Sequence, residues 1–160
     1  MFKHLLVTFV AACSVWGCAV EMVAPGTPRG EVLAKYGAPT RVVPIASGTR
    51  LQYSRQPVGQ TAVMVDLDAA DRVVSVRQVL NENDFTRVTP GKWTRDTMER
   101  EFGRPAFISR VASWTGDILV YRWLDLSRTD MFFYVYLDPS NVVQKVGQGM
   151  EFKDAREPRD

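Results

Sequence analysis

The sequence predicts an α+β fold in which one helix-plus-antiparallel-meander unit occurs twice, with short helices packed on one face of antiparallel sheet. Three observations predict it. Tyr36-Gly37-Ala38-Pro39 recurs as Phe102-Gly103-Arg104-Pro105, each time after a short amphipathic stretch. Three strand-like segments follow each copy. Landmark pairs also stay in order while their offset grows. Pro25-Gly26 matches Pro90-Gly91 at 65 residues, Gly37 matches Gly103 at 66, Tyr53 matches Tyr121 at 68, and Leu67-Asp68 matches Leu137-Asp138 at 70. Small insertions in surface loops produce such a drift, whereas chance matches need not keep their order.

In the first unit, residues 25–83, Thr27 reads as an N-cap and Pro28 as the first helical position, and Gly37 with Pro39 stops the helix. In the second, residues 84–150, Thr94 caps the helix, Asp96 suits the positive end of its dipole, and Gly103 with Pro105 closes it. Val32 and Tyr36, like Met98 and Phe102, stand at i and i+4 and share a face. Helices this short are marginal alone in water, so they need a sheet to pack on. Strands are predicted at 49–55, 61–67 and 73–80, then at 118–124, 130–137 and 142–148. Asp66, Asp68 and Asp71 lack the glycine and closing glutamate of a calcium loop. The aligned Leu137-Asp138-Pro139-Ser140-Asn141 reads as a hairpin turn.

Alternation separates the faces of the middle strands. Val63, Val65 and Leu67 align with Phe133, Val135 and Leu137 and are apolar in both units, so they are predicted core. The opposite faces diverge: Ala62, Met64 and Asp66 in the first unit, Phe132, Tyr134 and Tyr136 in the second. An aromatic row on the face away from the helix is either covered by another part of the chain or is a contact surface. If it is open, Phe132, Tyr134 and Tyr136, with Val120 and Arg122 beside them, are the candidate anchors for a protein partner. Trp123 continues the alternation of Leu119 and Tyr121 into the core, whereas Trp114 lies beside Gly116 in a loop. Residues 151–160 are dense in charge, lack periodicity and contain Pro158, which predicts a disordered tail.

A chain of 160 residues that is 46% hydrophobic and 24% charged can bury a real core. Its net charge of +2 is slight and its basic residues form no run, so the footprint of a nucleic-acid binder is missing. Lys3 and His4 precede an apolar run from Leu5 to Val15, too short for the roughly 20 residues a spanning helix needs. That pattern predicts a signal peptide over residues 1–17. Val15-Trp16-Gly17-Cys18 resembles a bacterial lipobox, in which Cys18 is acylated and becomes the new N-terminus, with residues 18–24 as a short membrane tether. Cleavage after Ala19 by an ordinary secretory route is the alternative. By resemblance to bacterial lipoproteins, Ala19 after an acylated Cys18 implies sorting to the outer membrane, facing the periplasm; ordinary cleavage implies a soluble periplasmic or secreted protein.

Either cut empties the catalytic inventory, because His4 is the only histidine and Cys13 and Cys18 are the only cysteines. The folded part then has no imidazole base, thiol nucleophile, disulfide, or His or Cys metal ligand. No catalytic residue, metal site or cofactor is predicted, and the chain reads as a non-enzyme.

The lipoprotein signal, the Pro-Gly turn, the short helix ending in aromatic-Gly-x-Pro and the meander with Leu-Asp before its last turn together resemble the BamE-like (SmpA/OmlA) outer-membrane lipoproteins. The same unit in tandem resembles the β-lactamase inhibitory protein. The resemblance runs from about Pro25 to about Gly149. It implies helices packed on antiparallel sheet and a scaffold that binds proteins of envelope or outer-membrane assembly, with the β-barrel assembly machinery as partner. The tandem likeness implies the alternative, an inhibitor that grips a periplasmic enzyme with an aromatic-rich sheet surface. The chain departs from the single-unit members in its second unit, and Trp16 stands where a lipobox has a small residue.

Overall fold

A computed structural model describes residues 22–152; the expected signal peptide, Cys18 and the end of the charged tail lie outside the described residues. In chain order the elements are α1 (Arg29–Tyr36), β1 (Arg41–Ile45), β2 (Gly48–Ser54), β3 (Ala62–Asp68), β4 (Val73–Gln78), α2 (Glu82–Phe85), α3 (Arg95–Phe102), β5 (Phe107–Ser109), β6 (Ile118–Leu124), β7 (Asp130–Leu137) and β8 (Val143–Met150). The strands form two four-stranded antiparallel sheets, each in sequence order: β1-β2-β3-β4 and β5-β6-β7-β8. The fold is therefore α+β, with short helices outside the sheets.

Each sheet has one strand more than the predicted meander. The additions, β1 and β5, are edge strands that alternation does not reveal: β1 contains Pro44, which edges tolerate, and β5 is three residues long. The α1 start also differs from the expectation. Pro28, not Thr27, occupies the capping position and makes no side-chain cap, whereas Thr94 at the equivalent place accepts from the Thr97 N–H.

Beyond that cap, the two units share a set of equivalent hydrogen bonds. Gly26 N–H donates to Val73 O at 2.7 Å, and Gly91 N–H donates to Val143 O at 2.7 Å. Arg29 N–H donates to Asp71 O, and Arg95 N–H to Asn141 O, both at 2.9 Å. The Tyr53 hydroxyl donates to Gly37 O at 3.2 Å and the Tyr121 hydroxyl to Gly103 O at 3.1 Å, so each aromatic-Gly-x-Pro stop is latched by the tyrosine of the second strand. Asp68 and Asp138 each accept two backbone N–H groups inside a tight turn. Asp71 and Asn141 close those turns at φ 57° and 63°, a conformation their short polar side chains tolerate. The aspartates are turn residues, as predicted.

Two apolar clusters hold the chain. Val32 of α1 joins Val23, Leu51, Val65, Leu67 and Val73, with Val63 at the margin. Met98 and Phe102 of α3 join Leu119, Tyr121, Trp123, Phe133, Val135 and Leu137 of the second sheet, together with Ala62 and Met64 from the first. The second cluster thus spans both units. Phe85 of α2 stacks on Phe133 at 3.9 Å between centroids and meets Trp123 edge-on at 5.2 Å. Burial raises the Tyr121 phenol well above its ordinary range and keeps it neutral.

Polar contacts seal the junction. Arg50 is buried and forks onto Asp66, with Nε to Oδ1 at 2.6 Å and Nη2 to Oδ2 at 2.9 Å. Its Nη1 also donates to Arg100 O and pairs with Glu101, each at 3.1 Å. The Asp66 hydrogen bonds raise the Arg50 pKa further above its usual value, despite the opposing effect of burial. Gln52 donates to the carbonyls of Glu99 and Arg100 at 2.9 Å. Those carbonyls belong to the last turn of α3; Glu99 O also accepts from the Gly103 N–H at 3.0 Å, so Gln52 adds a second donor there and supplies one to Arg100 O.

Asp117 supplies a pH test. Hydrogen bonds from Arg110 and then Arg95 hold its carboxyl below the ordinary aspartate value of 3.8. A depressed carboxyl means that the folded state binds the proton less readily than the unfolded chain does. The resulting stabilisation is complete above that value and is lost as pH falls through the lower folded pKa. Asp117→Asn should therefore leave a flatter dependence of the urea midpoint on pH below about 4. An unchanged acid limb counts against the pairing.

Candidate functional site

Cross-strand register builds one continuous face on the second sheet, opposite the cluster of Met98 and Phe102. Phe107, Val120, Tyr134 and Gly147 stand in one row across β5 to β8; Arg122, Phe132 and Gly149 stand in the next; Ile118, Tyr136 and Lys145 stand on the other side. The rings are linked edge-on. Phe107 meets Phe132 at 5.7 Å, Phe132 meets Tyr134 at 5.8 Å, and Trp114 meets Tyr136 at 5.3 Å. Lys145 Nζ lies 4.2 Å from the Tyr136 centroid and 5.0 Å from that of Trp114, which gives this end of the row a cation–π cap.

The glycines of β8 leave the rings room. Tyr134 leans over Gly149, whose added Cβ would lie 3.4 Å from the ring, while the space above Gly147 is open. Phe132, Tyr134, Tyr136 and Trp114 are half-buried and Phe107 is exposed. Burial, then the neighbouring Tyr136, raises the Tyr134 phenol above its usual value, so that phenol stays neutral over the physiological range.

The equivalent face of the first sheet has the opposite fate. Arg50, Gln52, Ala62 and Met64 are buried there, and their partners are the carbonyls, Glu101 carboxylate and apolar side chains of α3. The second unit's helix occupies the first sheet's outer face. Among the described residues no helix occupies the same position on the second sheet.

The predicted anchors fall into two groups. Phe132, Tyr134 and Tyr136 form the row itself. Val120 has the predicted orientation but is fully buried beneath Phe107 and Tyr134, so it supports the surface without presenting itself. Arg122 is held by Glu151, with Nε to Oε2 at 2.8 Å, and donates to the carbonyls of Pro57 and Val58. The Glu151 hydrogen bond raises its pKa. It is a clasp between units. Cys18 lies outside the described residues.

Phe107, Trp114 and Lys145 complete the face and were not foreseen as part of it. Phe107 needed knowledge of β5, and Trp114 is held in place by its Nε1–H bond to Leu137 O at 2.8 Å, a contact that closes a loop. Gly147 and Gly149, two apart on a strand, are the readable signal of a flat patch. Among the described residues no group of three potential metal ligands occurs. The perturbed acids and phenols are accounted for by ion pairs or burial.

No family model matches this chain, and no curated protein matches it. Among solved structures, a DUF4309 family protein (YjgB) from Bacillus subtilis is similar over 78% of this chain and 79% of that one, at 16% identity and a TM-score of 0.33. A likeness that loose carries no argument about function, and the site stands on its own residues.

Proposed function

We propose that this chain is a lipid-anchored outer-membrane protein facing the periplasm, a non-enzyme that binds a protein partner in envelope or outer-membrane assembly through the aromatic face of its second sheet. The observation that supports it is the broken symmetry of the repeat. The first sheet's outer face carries residues that complement α3; the second carries linked rings over glycines, with no helix docked on them among the described residues. Rigid aromatic side chains give large contact area at low entropic loss, which is the composition of interface anchors. On this reading α1 and α3 are the packing helices of a tandem BamE-like module, spanning residues 25–83 and 84–150, and Cys18 carries the acyl anchor.

Tyr134→Ala with Tyr136→Ala should weaken partner capture at least about 100-fold while cooperative unfolding persists. Capture would be read by crosslinking in intact cells followed by identification of what is attached. Unchanged capture removes this face from the proposal. A Cys18→Ala chain that is processed normally, beside a parent that takes up no labelled palmitate, removes the anchor. Recovery of a periplasmic enzyme, with loss of its activity in the complex, would favour the inhibitor reading, which the tandem arrangement and the rigid sheet surface also support.

A further inference from the structure

The β2–β3 and β6–β7 connections meet at one end of the molecule. Gln56 bonds both backbone groups of Arg122, its Oε1 accepting at 3.1 Å and its Nε2 donating at 2.6 Å, and Arg122 reaches back to Pro57 and Val58. Gln60 donates to Asp130. Each connection ends in an apolar side chain turned to solvent: Val58 is 86% exposed and Leu126 100%. Two more flank them. Met22, 50% exposed, shares a groove of about 700 Å³ with Gly59, Gln60 and Leu124. Phe152, 77% exposed, follows Glu151, whose N–H bonds Asp130 O.

Charge at this end is lopsided in what it offers. Arg55 beside Val58 and Arg128 beside Leu126 are exposed, and neither forms an ion pair among the described residues. Among the described residues the carboxylates here are engaged: Asp125 accepts from Thr129 N–H, Asp130 from Gln60 and Glu151 from Arg122. Apolar tips flanked by uncommitted guanidinium groups complement an anionic lipid surface. The tether leads to the same place. Cys18 precedes Met22 by four residues, a reach of at most about 14 Å for extended chain.

We propose that this end is a membrane-seating edge: Val58 and Leu126, with Met22 and Phe152 beside them, enter the headgroup region of the leaflet that holds the anchor. The inference rests on the lipid-anchor reading. It sets the orientation of the molecule. Strands β2, β3, β6 and β7 then rise from the bilayer at their hairpin ends, and the aromatic face looks sideways along the membrane.

The test uses the full chain as cells process it, reconstituted in phosphatidylcholine vesicles containing phosphatidylserine. An environment-sensitive label is placed on Val58→Cys, Leu126→Cys or Ala70→Cys, the last in the β3–β4 turn at the opposite end. The mature chain has no other free thiol under either cleavage. Blue-shifted emission at 58 and 126, quenched by brominated acyl chains, with no change at 70, is the expected result. Vesicles that float the protein while the tip labels stay unshifted overturn the seating edge and leave the anchor intact. Failure to float, with Cys18 unacylated, overturns both.

Discussion

Replacing Phe102 with Ala is expected to lower the stability of both sheets at once, by about 3–5 kcal/mol. The ring is fully buried and touches Phe85, Trp93 and Tyr121 at centroid distances of 5.6, 6.0 and 6.1 Å. Its cluster also includes Ala62 and Met64 from the first sheet, so the cavity opens at the junction of the units. Two units joined by a shared helix should unfold as one. Trp93, Trp114 and Trp123 all lie in the second unit and the fourth tryptophan, Trp16, in the expected signal peptide, so in the processed chain tryptophan fluorescence reports that unit while far-ultraviolet circular dichroism reports both. Urea transitions followed by the two probes should coincide in the parent and shift together in Phe102→Ala. Separated transitions, with only the fluorescence midpoint displaced, would show that α3 does not couple the sheets.

The coupling explains what the sequence revealed and what it withheld. The central strands were legible because each has two unlike faces, and Val65 against Asp66 or Val135 against Tyr134 announces the pleat by chemistry alone. Edge strands lack that contrast: Arg41–Ile45 is mostly exposed and interrupted by Pro44, and Phe107–Ser109 is too short for a period to show. The tetrapeptide α2 gives no helical period either, although Asn81 caps it by accepting from Asp84 N–H. Divergence of the two outer faces was visible in Ala62, Met64 and Asp66 against Phe132, Tyr134 and Tyr136. Which of them is covered was not, because the cover of the first face is a helix that starts at Arg95, 27 residues beyond the end of β3 at Asp68. Depth is likewise a tertiary property, and alternation placed Val120 on the right side without saying that its cross-strand neighbours bury it.

Gly48 and Gly116 carry the other large effect, and they complete the register of the repeat at an offset of 68 residues. Both adopt positive φ, 147° and 139°, at the start of a strand or just before one. A Cβ at Gly48 would lie 2.3 Å from Leu67 O, and one at Gly116 would lie 2.1 Å from Leu137 O. These are backbone atoms beside the register shifts at Asp66/Leu67 and Tyr136/Leu137, so no side chain can swing away to relieve the clash. Strain at such a backbone position costs about 1–3 kcal/mol before the displaced strand is counted. Gly48→Ala and Gly116→Ala should therefore each destabilise the protein by more than about 3 kcal/mol, and by similar amounts. Two further glycines separate the causes. Gly91→Ala meets open space but a φ of 77°, and should cost about 1–2 kcal/mol from conformation alone. Gly147→Ala meets open space without positive φ and should change stability by less than about 1 kcal/mol. Urea midpoints in the order Gly147→Ala, Gly91→Ala, Gly116→Ala, from least to most destabilised, would establish the steric origin of the effect. A Gly116→Ala protein as stable as Gly91→Ala would mean that the strands do not approach as closely as the repeat requires.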